Sequence, residues 1–286
     1  MATLKYKKVY IDTKFKTADS VSTSNFRYEL PETLFFGNNS VFYVDDIAIP
    51  HSWWTVEQNM NDKLYLFLRD TTNGQTWSYI VSITAGNYTG VDLATEIQQR
   101  MRTTTAVHHA TNLFSCAYSS KTNTVVISII PGTSLTFKIL TPEDLKTKLN
   151  NAFNVSYNVN KPNDCNEILS NLEGTSLEYD YTNSYTSGYL NMQPIRNIYL
   201  HSPSLGNFSN VGCLGEQTVI KKIPCTSDYN QMIFDQVVLY NDYNDCSGQT
   251  LKTLEFQLRT SRGDIINLHG CNISFSIIFS RGNPDL

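Results

Sequence analysis

Charge is scarce in this chain of 286 residues: Asp, Glu, Lys and Arg make up 17%, against an ordinary share of about 25%. The signs are also nearly balanced, 22 basic against 26 acidic residues, for a net charge of −4. Such a chain has no global positive field with which to gather nucleic acid. No apolar run is long enough to cross a membrane, and Met1-Ala2-Thr3-Leu4-Lys5 lacks the apolar core of a secretory signal. Neither a phosphate-cradling P-loop nor a dinucleotide fingerprint occurs. The six cysteines (Cys116, Cys165, Cys213, Cys225, Cys246 and Cys271) include no Cys-x-x-Cys pair. That spacing argues against a zinc site and against a compact disulfide framework, so reduced thiols and folding in a reducing compartment are expected.

What is present is a β pattern at both ends. In "NFRYEL", Phe26, Tyr28 and Leu30 alternate with Arg27 and Glu29. "LEFQLR" sets Leu254, Phe256 and Leu258 against Glu255, Gln257 and Arg259, and "ISFSIIF" aligns Ile273, Phe275, Ile277 and Phe279. Side chains two apart share one face of a strand, so these read as half-buried strands. "VFYVDDIAIP" is apolar on both parities, which predicts a strand covered on both sides.

The middle differs. Two alternating runs around Asn73-Gly74 predict a hairpin. Thr89 with Asp92 resembles a capping box, and Leu93, Ile97 and Met101 then recur at helical spacing. "FSCAYSSKTNTVVISII" predicts a second hairpin. "LTPEDLKTKL" predicts a second helix, with Thr141 as N-cap, Pro142 in its first turn and Leu145 and Leu149 on one face. Beyond it an Asn-rich stretch reads as irregular up to about Ser187. The fold class expected is mainly β: a discontinuous jelly-roll β-sandwich, residues 1–60 and 188–286, with an inserted α+β domain at 61–187.

Candidate chemistry is sparse. His108 and His109 are neighbours without a carboxylate or cysteine at ligand spacing, which fits loop histidines better than metal ligands. On a regular strand Asp45 and Asp46 would point to opposite faces, which favours a structural role over cation binding. Trp53 and Trp54, near His51, fit aromatic packing at a corner or a sugar-stacking platform, and packing is preferred. Cys165 has no placed histidine to activate it. No catalytic residue, cofactor site or metal site is assigned, and the chain does not read as an enzyme. The basic residues Lys5, Lys7, Lys8, Lys14 and Lys16 cluster in an N-terminal arm, read as a solvated tail. The lesser readings place it on an anionic surface, nucleic acid included, or beneath a neighbouring subunit.

The stretches "YIDTKFKTADSVSTSNFRYEL" and "YVDDIAIPHSWWTVEQNMNDKLYL" resemble the penton, or minor capsid, proteins of virophages and Polinton-type viruses. The resemblance runs through Ile49, Pro50, Trp53 and Trp54, then Gly86-Asn87-Tyr88-Thr89. It continues in "NIYLHSPSLGN", the Gly215-Glu216 step before "TVIKKIPC", and "LRTSRGDIINLHGCNISFSIIF". It implies a single jelly roll with an outward insertion, forming homopentamers at icosahedral fivefold vertices. It further implies contact with a double-jelly-roll major capsid protein and with other minor capsid proteins, in a virion assembled inside the host cell. One departure is Thr260, followed by Ser261, where the family has Asp before the last turn. The competing readings are a receptor- or glycan-binding β-sandwich module using Trp53, Trp54 and loop tyrosines, and a β-sandwich hydrolase whose carboxylates converge from afar.

Arg262-Gly263-Asp264 spells an adhesive tripeptide, and these three are the candidate receptor-binding residues. Ser261, Gly263 and Asp264 are equally what a tight turn between "LEFQLR" and Ile265-Ile266 requires, and the turn reading is preferred. For the cysteines the expected outcome is full recovery of six thiols on titration under denaturing, non-reducing conditions. Recovery of four or fewer would show a disulfide and overturn the reading.

Overall fold

The computed structural model describes residues 6–147, 157–158, 161–206, 210–237 and 242–281, so Lys5 and Leu149 lie outside the described residues. The chain divides into two compact units, Met1–Trp53 with Ile195–Leu286, and Trp54–Pro194.

In the first unit the strands are β1 (Tyr6–Asp12), β2 (Asn25–Phe35) and β3 (Ser40–Pro50). After the insertion come β10 (Asn197–His201), β11 (Val219–Pro224), β12 (Met232–Gln236), β13 (Asn244–Asp245), β14 (Thr250–Arg259) and β15 (Ser274–Arg281). One sheet has the order β1-β15-β3-β12, with β13 also paired to β3; the other has the order β11-β10-β14-β2. Neighbours are antiparallel throughout. This is a jelly-roll sandwich: the first strand pairs with the last, and consecutive strands β14 and β15 lie in different sheets.

The inward residues are those the alternation marks. Phe26, Leu30, Leu254, Phe256 and Leu258 of one sheet meet Phe42, Ile49, Phe275, Ile277 and Phe279 of the other in one core. Phe275 packs edge-on against Phe256 with ring centroids 5.0 Å apart. β3 departs from the expectation of two covered faces. Ile277 faces Val44 and Ser276 faces Asp46, so Asp45 is an extra residue bulged out of the ladder. Phe42 and Val44 before the bulge, and Ile47 and Ile49 after it, therefore all point inward. The double apolar pattern is one face whose parity changes midway.

The N-terminal arm is also not a solvated tail from Tyr6 onward. β1 pairs along its whole length with β15, Lys7 is ion-paired with Glu32, and Lys8 is bonded to Asp45. A bulge in β11 turns Lys221 inward beside Leu200. Its ammonium lies 3.0 Å from Asp235 and 3.7 Å from Asp242, at the edge where β11 and β12 leave the sandwich open. A buried cation requires such partners, because removing it from water costs several kcal/mol.

The second unit holds β4 (Lys63–Asp70), β5 (Thr76–Ser82), β6 (Phe114–Ser119), β7 (Thr124–Ile129), β8 (Leu135–Ile139) and β9 (Tyr185–Thr186). They form two sheets, β5-β4-β8 and β6-β7-β9. Helix α1 (Gly90–Thr105) buries Leu93, Ala94, Ile97 and Met101 in the core beside Leu66, Val81, Phe114 and Ile127. Thr89 is its N-cap: the Thr89 hydroxyl accepts from the Asp92 N–H and donates to the Asp92 carboxylate. Gly90 is required by contact, since a Cβ there would stand 2.4 Å from the Tyr118 ring. In α2 (Pro142–Thr147), Leu145 packs with Tyr65, Leu140 and Tyr157 as a separate small core. The Asn-rich stretch is more ordered than its composition suggests. Helix α3 (Asn166–Leu169) buries Ile168 and Leu169, and β9 extends the β6-β7 sheet. The unit begins at Trp54 rather than Asn61 because Val56 bridges Gly86, and it runs past Ser187 because Leu190 belongs to its core.

Replacing Lys221 with Met leaves Asp235 without its cation and is expected to lower unfolding free energy by about 3 kcal/mol. Lys221→Met combined with Asp235→Asn should restore at least half of that loss in urea denaturation. An additive double variant would mean that the pair is not coupled.

Candidate functional site

The structure disperses the chemistry-bearing residues rather than gathering them. Among the described residues, no three His, Cys, Asp or Glu side chains converge as a metal site would require. All six cysteines are unbridged, and burial pushes Cys116 and Cys225 up to about 12 and Cys165 well above the ordinary thiol range. Thiols held protonated in this way are poor nucleophiles. His108 and His109 lie just beyond α1. The Tyr79 hydroxyl and His108 Nδ1 are 3.1 Å apart, and the Trp77 ring meets His109 edge-on at 4.6 Å. Burial, with a smaller contribution from His108, holds His109 below the usual imidazole range. Trp53 is buried and stacks on His51 at 4.2 Å, while His51 Nδ1 is 2.8 Å from the Ser227 carbonyl. A ring so covered offers no open platform for a sugar.

The Arg262-Gly263-Asp264 turn is organised by Thr260. The Thr260 N–H donates to the Asp264 carbonyl, its own carbonyl accepts from the Gly263 N–H, and its hydroxyl accepts from the Arg262 N–H at 3.2 Å. A threonine hydroxyl thus caps the turn much as an aspartate would. Gly263 has φ +81°, and a Cβ there would meet Leu214 at 3.4 Å. All three motif residues are half-buried. The tight turn has short antiparallel flanks, with the Ile266 N–H donating to the Leu258 carbonyl. One antiparallel bridge, Arg259 to Ile265, closes it, and the chain then crosses to the other sheet as β15. Ile266 and Leu268 are buried in that crossing, so the second apolar run fills the core instead of pairing as a strand.

One further feature was missed in the sequence. On the outer face of the β1-β15-β3 sheet, Tyr6, Lys8, Tyr43, Tyr243, Ile278 and Ser280 line a cavity of about 420 Å³. Lys8 Nζ stands 2.6 Å from Asp45 and 3.4 Å from Asp46, and 5.1 Å from the centre of the Tyr10 ring. Hydrogen bonding to Asp45 raises the Lys8 ammonium above its ordinary range. The two carboxylates, expected on opposite faces, reach the same cation because the bulge at Asp45 breaks the alternation. Outward parity of Tyr6, Lys8 and Tyr43 is readable from the sequence; their being neighbours is not.

No known protein-family profile matches the sequence, nor does any curated protein. Among solved structures, the chain is similar to the penton protein of mavirus. The likeness has a TM-score of 0.53 and covers 97% of this chain and 99% of that one, at 8% sequence identity. The resemblance to penton proteins therefore holds at the level of the fold, over nearly the full length of both chains.

Two substitutions separate the roles in the turn. Gly263→Val puts a β-branched residue at positive φ and is expected to cost about 1–2 kcal/mol in thermal or chemical denaturation. Asp264→Glu destroys the adhesive tripeptide yet keeps the charge, and attachment to host cells should be unchanged. Loss of attachment with folding intact would establish adhesion instead.

Proposed function

We propose that this chain is a structural capsid protein of penton type. On this reading five copies close a ring at each icosahedral fivefold vertex of a virion and abut a double-jelly-roll major capsid protein. The observation that carries the reading is the end-to-end likeness, jelly roll and insertion together, to the mavirus penton structure.

Function is then geometric rather than chemical. One patch of each subunit meets a different patch of the next, and a fivefold rotation closes the series without leaving a free end. The lateral strands of the sandwich are β1 and β2 on one side and β11 and β12 on the other. Edge β2 carries Pro31 and the charges Arg27, Glu29 and Glu32. Those residues oppose uncontrolled strand addition, so neighbours would meet through side chains rather than by extending a sheet. The unit Trp54–Pro194 would be the part displayed outward, with other minor capsid proteins as further neighbours. Assembly would take place inside the host cell.

Native mass spectrometry of the purified chain at high concentration is expected to show a pentamer as the largest closed species. A monomer throughout, together with measurable affinity on a glycan array, would favour a binding module and reject the penton reading.

A further inference from the structure

The loop from β1 to β2 and the loop from β14 to β15 line a second cavity, of about 610 Å³. Lys16, Ser22, Thr23 and Ser24 come from the first loop, Asn267 and Leu268 from the second, and both loops lie wholly within the described residues. The walls are held in place. The Thr17 N–H donates to the Arg27 carbonyl and the Leu258 N–H to the Ser24 carbonyl, which ties the first loop to β2 and β14. The second loop turns through His269 and Gly270, both at positive φ, and the Cys271 N–H closes it on the Leu268 carbonyl.

The uncommitted polar groups around this cavity are mostly donors. The Ser22 hydroxyl oxygen already accepts from the Ser24 and Asn25 N–H groups, at 3.1 and 3.0 Å, which leaves its proton to give. Asn267 Oδ1 accepts from the His269 N–H at 3.0 Å, which leaves the amide protons. Among the described residues nothing pairs with the Lys16 ammonium or with the hydroxyls of Thr23 and Ser24. Ser24 is only 1% exposed, and buried hydroxyls are ordinarily paired. Among those residues no carboxylate lines the cavity, and Asp19 of the first loop is held by Arg27 at 2.9 Å.

We propose that this cavity binds an acidic saccharide, a pyranose ring carrying a carboxylate or a sulfate. Lys16 holds the anionic oxygens, and Ser22, Thr23, Ser24 and Asn267 donate to them and to the ring's own oxygens. An excess of donors calls for a ligand rich in acceptors, and an unpaired ammonium calls for one with negative charge. The volume is that of a small-molecule site rather than of a bare oxyanion. Ile265 and Leu268 add an aliphatic wall against which the C–H face of a ring loses water. The inference stands on the cavity and its donors and does not depend on the penton reading.

The probes are methyl β-D-glucuronide and glucose 6-sulfate, titrated into the full chain at low salt and followed by saturation-transfer NMR. The comparison ligands are methyl β-D-glucoside, which keeps the ring without the charge, and acetate and inorganic sulfate, which keep the charge without the ring. At least one acidic sugar is expected to bind about tenfold more tightly than all three. Lys16→Met should weaken that binding about tenfold, while Lys16→Arg, which keeps the charge, retains most of it and separates loss of the site from loss of the fold. Thr23→Val, which removes a donor at nearly constant volume, should weaken it severalfold. The proposal fails if neither acidic sugar binds saturably at millimolar concentration, or if the glucoside, acetate or sulfate binds as tightly. Unchanged binding in the Lys16→Met protein would likewise overturn it.

Discussion

Phe275 is where the two sheets of the sandwich meet. It belongs to β15 in one sheet, while Phe256 and Phe26, at 5.0 and 6.4 Å between ring centroids, belong to β14 and β2 in the other. Packed sheets stand about 10 Å apart, a gap that interdigitating aromatic rings fill well. Because β14 and β15 are consecutive yet face each other across that gap, the residues between them must climb from one sheet to the other. Ile266 and Leu268 are buried in the climb, and the Arg262-Gly263-Asp264 turn starts it. The tripeptide's geometry is thus a consequence of how the core is closed.

The few charges are placed where a β-sandwich is vulnerable. Lys7 with Glu32, Arg27 with Asp19 and Glu255, and Lys252 with Glu29 all sit on or beside the lateral strands. Exposed pairs of this kind contribute about 0–1 kcal/mol each, too little to account for the fold. Their stronger effect is to make an unpaired strand edge costly to cover with another sheet, since covering it would strip water from the charges. Lys221 differs because it is buried, and its partners hold the two open edge strands at a fixed spacing.

Local pattern was readable and long-range register was not. The alternation in "LEFQLR" and "ISFSIIF" marked the right inward residues, and Thr89 with Asp92 marked the start of α1, because each reports on neighbours along the chain. The bulge at Asp45 was misread as a doubly covered strand because its cause is the pairing of β3 with β15, more than two hundred residues away. Nothing local in "TVIKKIPC" marks Lys221 as buried, because a second bulge, set by pairing with β10, turns it inward. The tyrosine-lined cavity needs three strands side by side, and no single segment announces that arrangement. Helix α3 was hidden by its Asn-rich surroundings, where Asp164 accepts from the Asn166 N–H and so anchors the first turn.

Strand β15, the last in sequence among the described residues, lies in the middle of its sheet, between β1 and β3. During synthesis those two strands, separated by little more than one intervening strand, have a gap between them that nothing but β15 fills in the finished protein. Until β15 has been synthesised, β1 lacks its ladder partner and the aromatic core lacks Phe275 and Phe279. Deleting β15 would therefore remove the keystone of a sheet rather than trim its margin. Until β15 is present the sandwich cannot close, so a chain that lacks it cannot present the folded surface on which any later association depends.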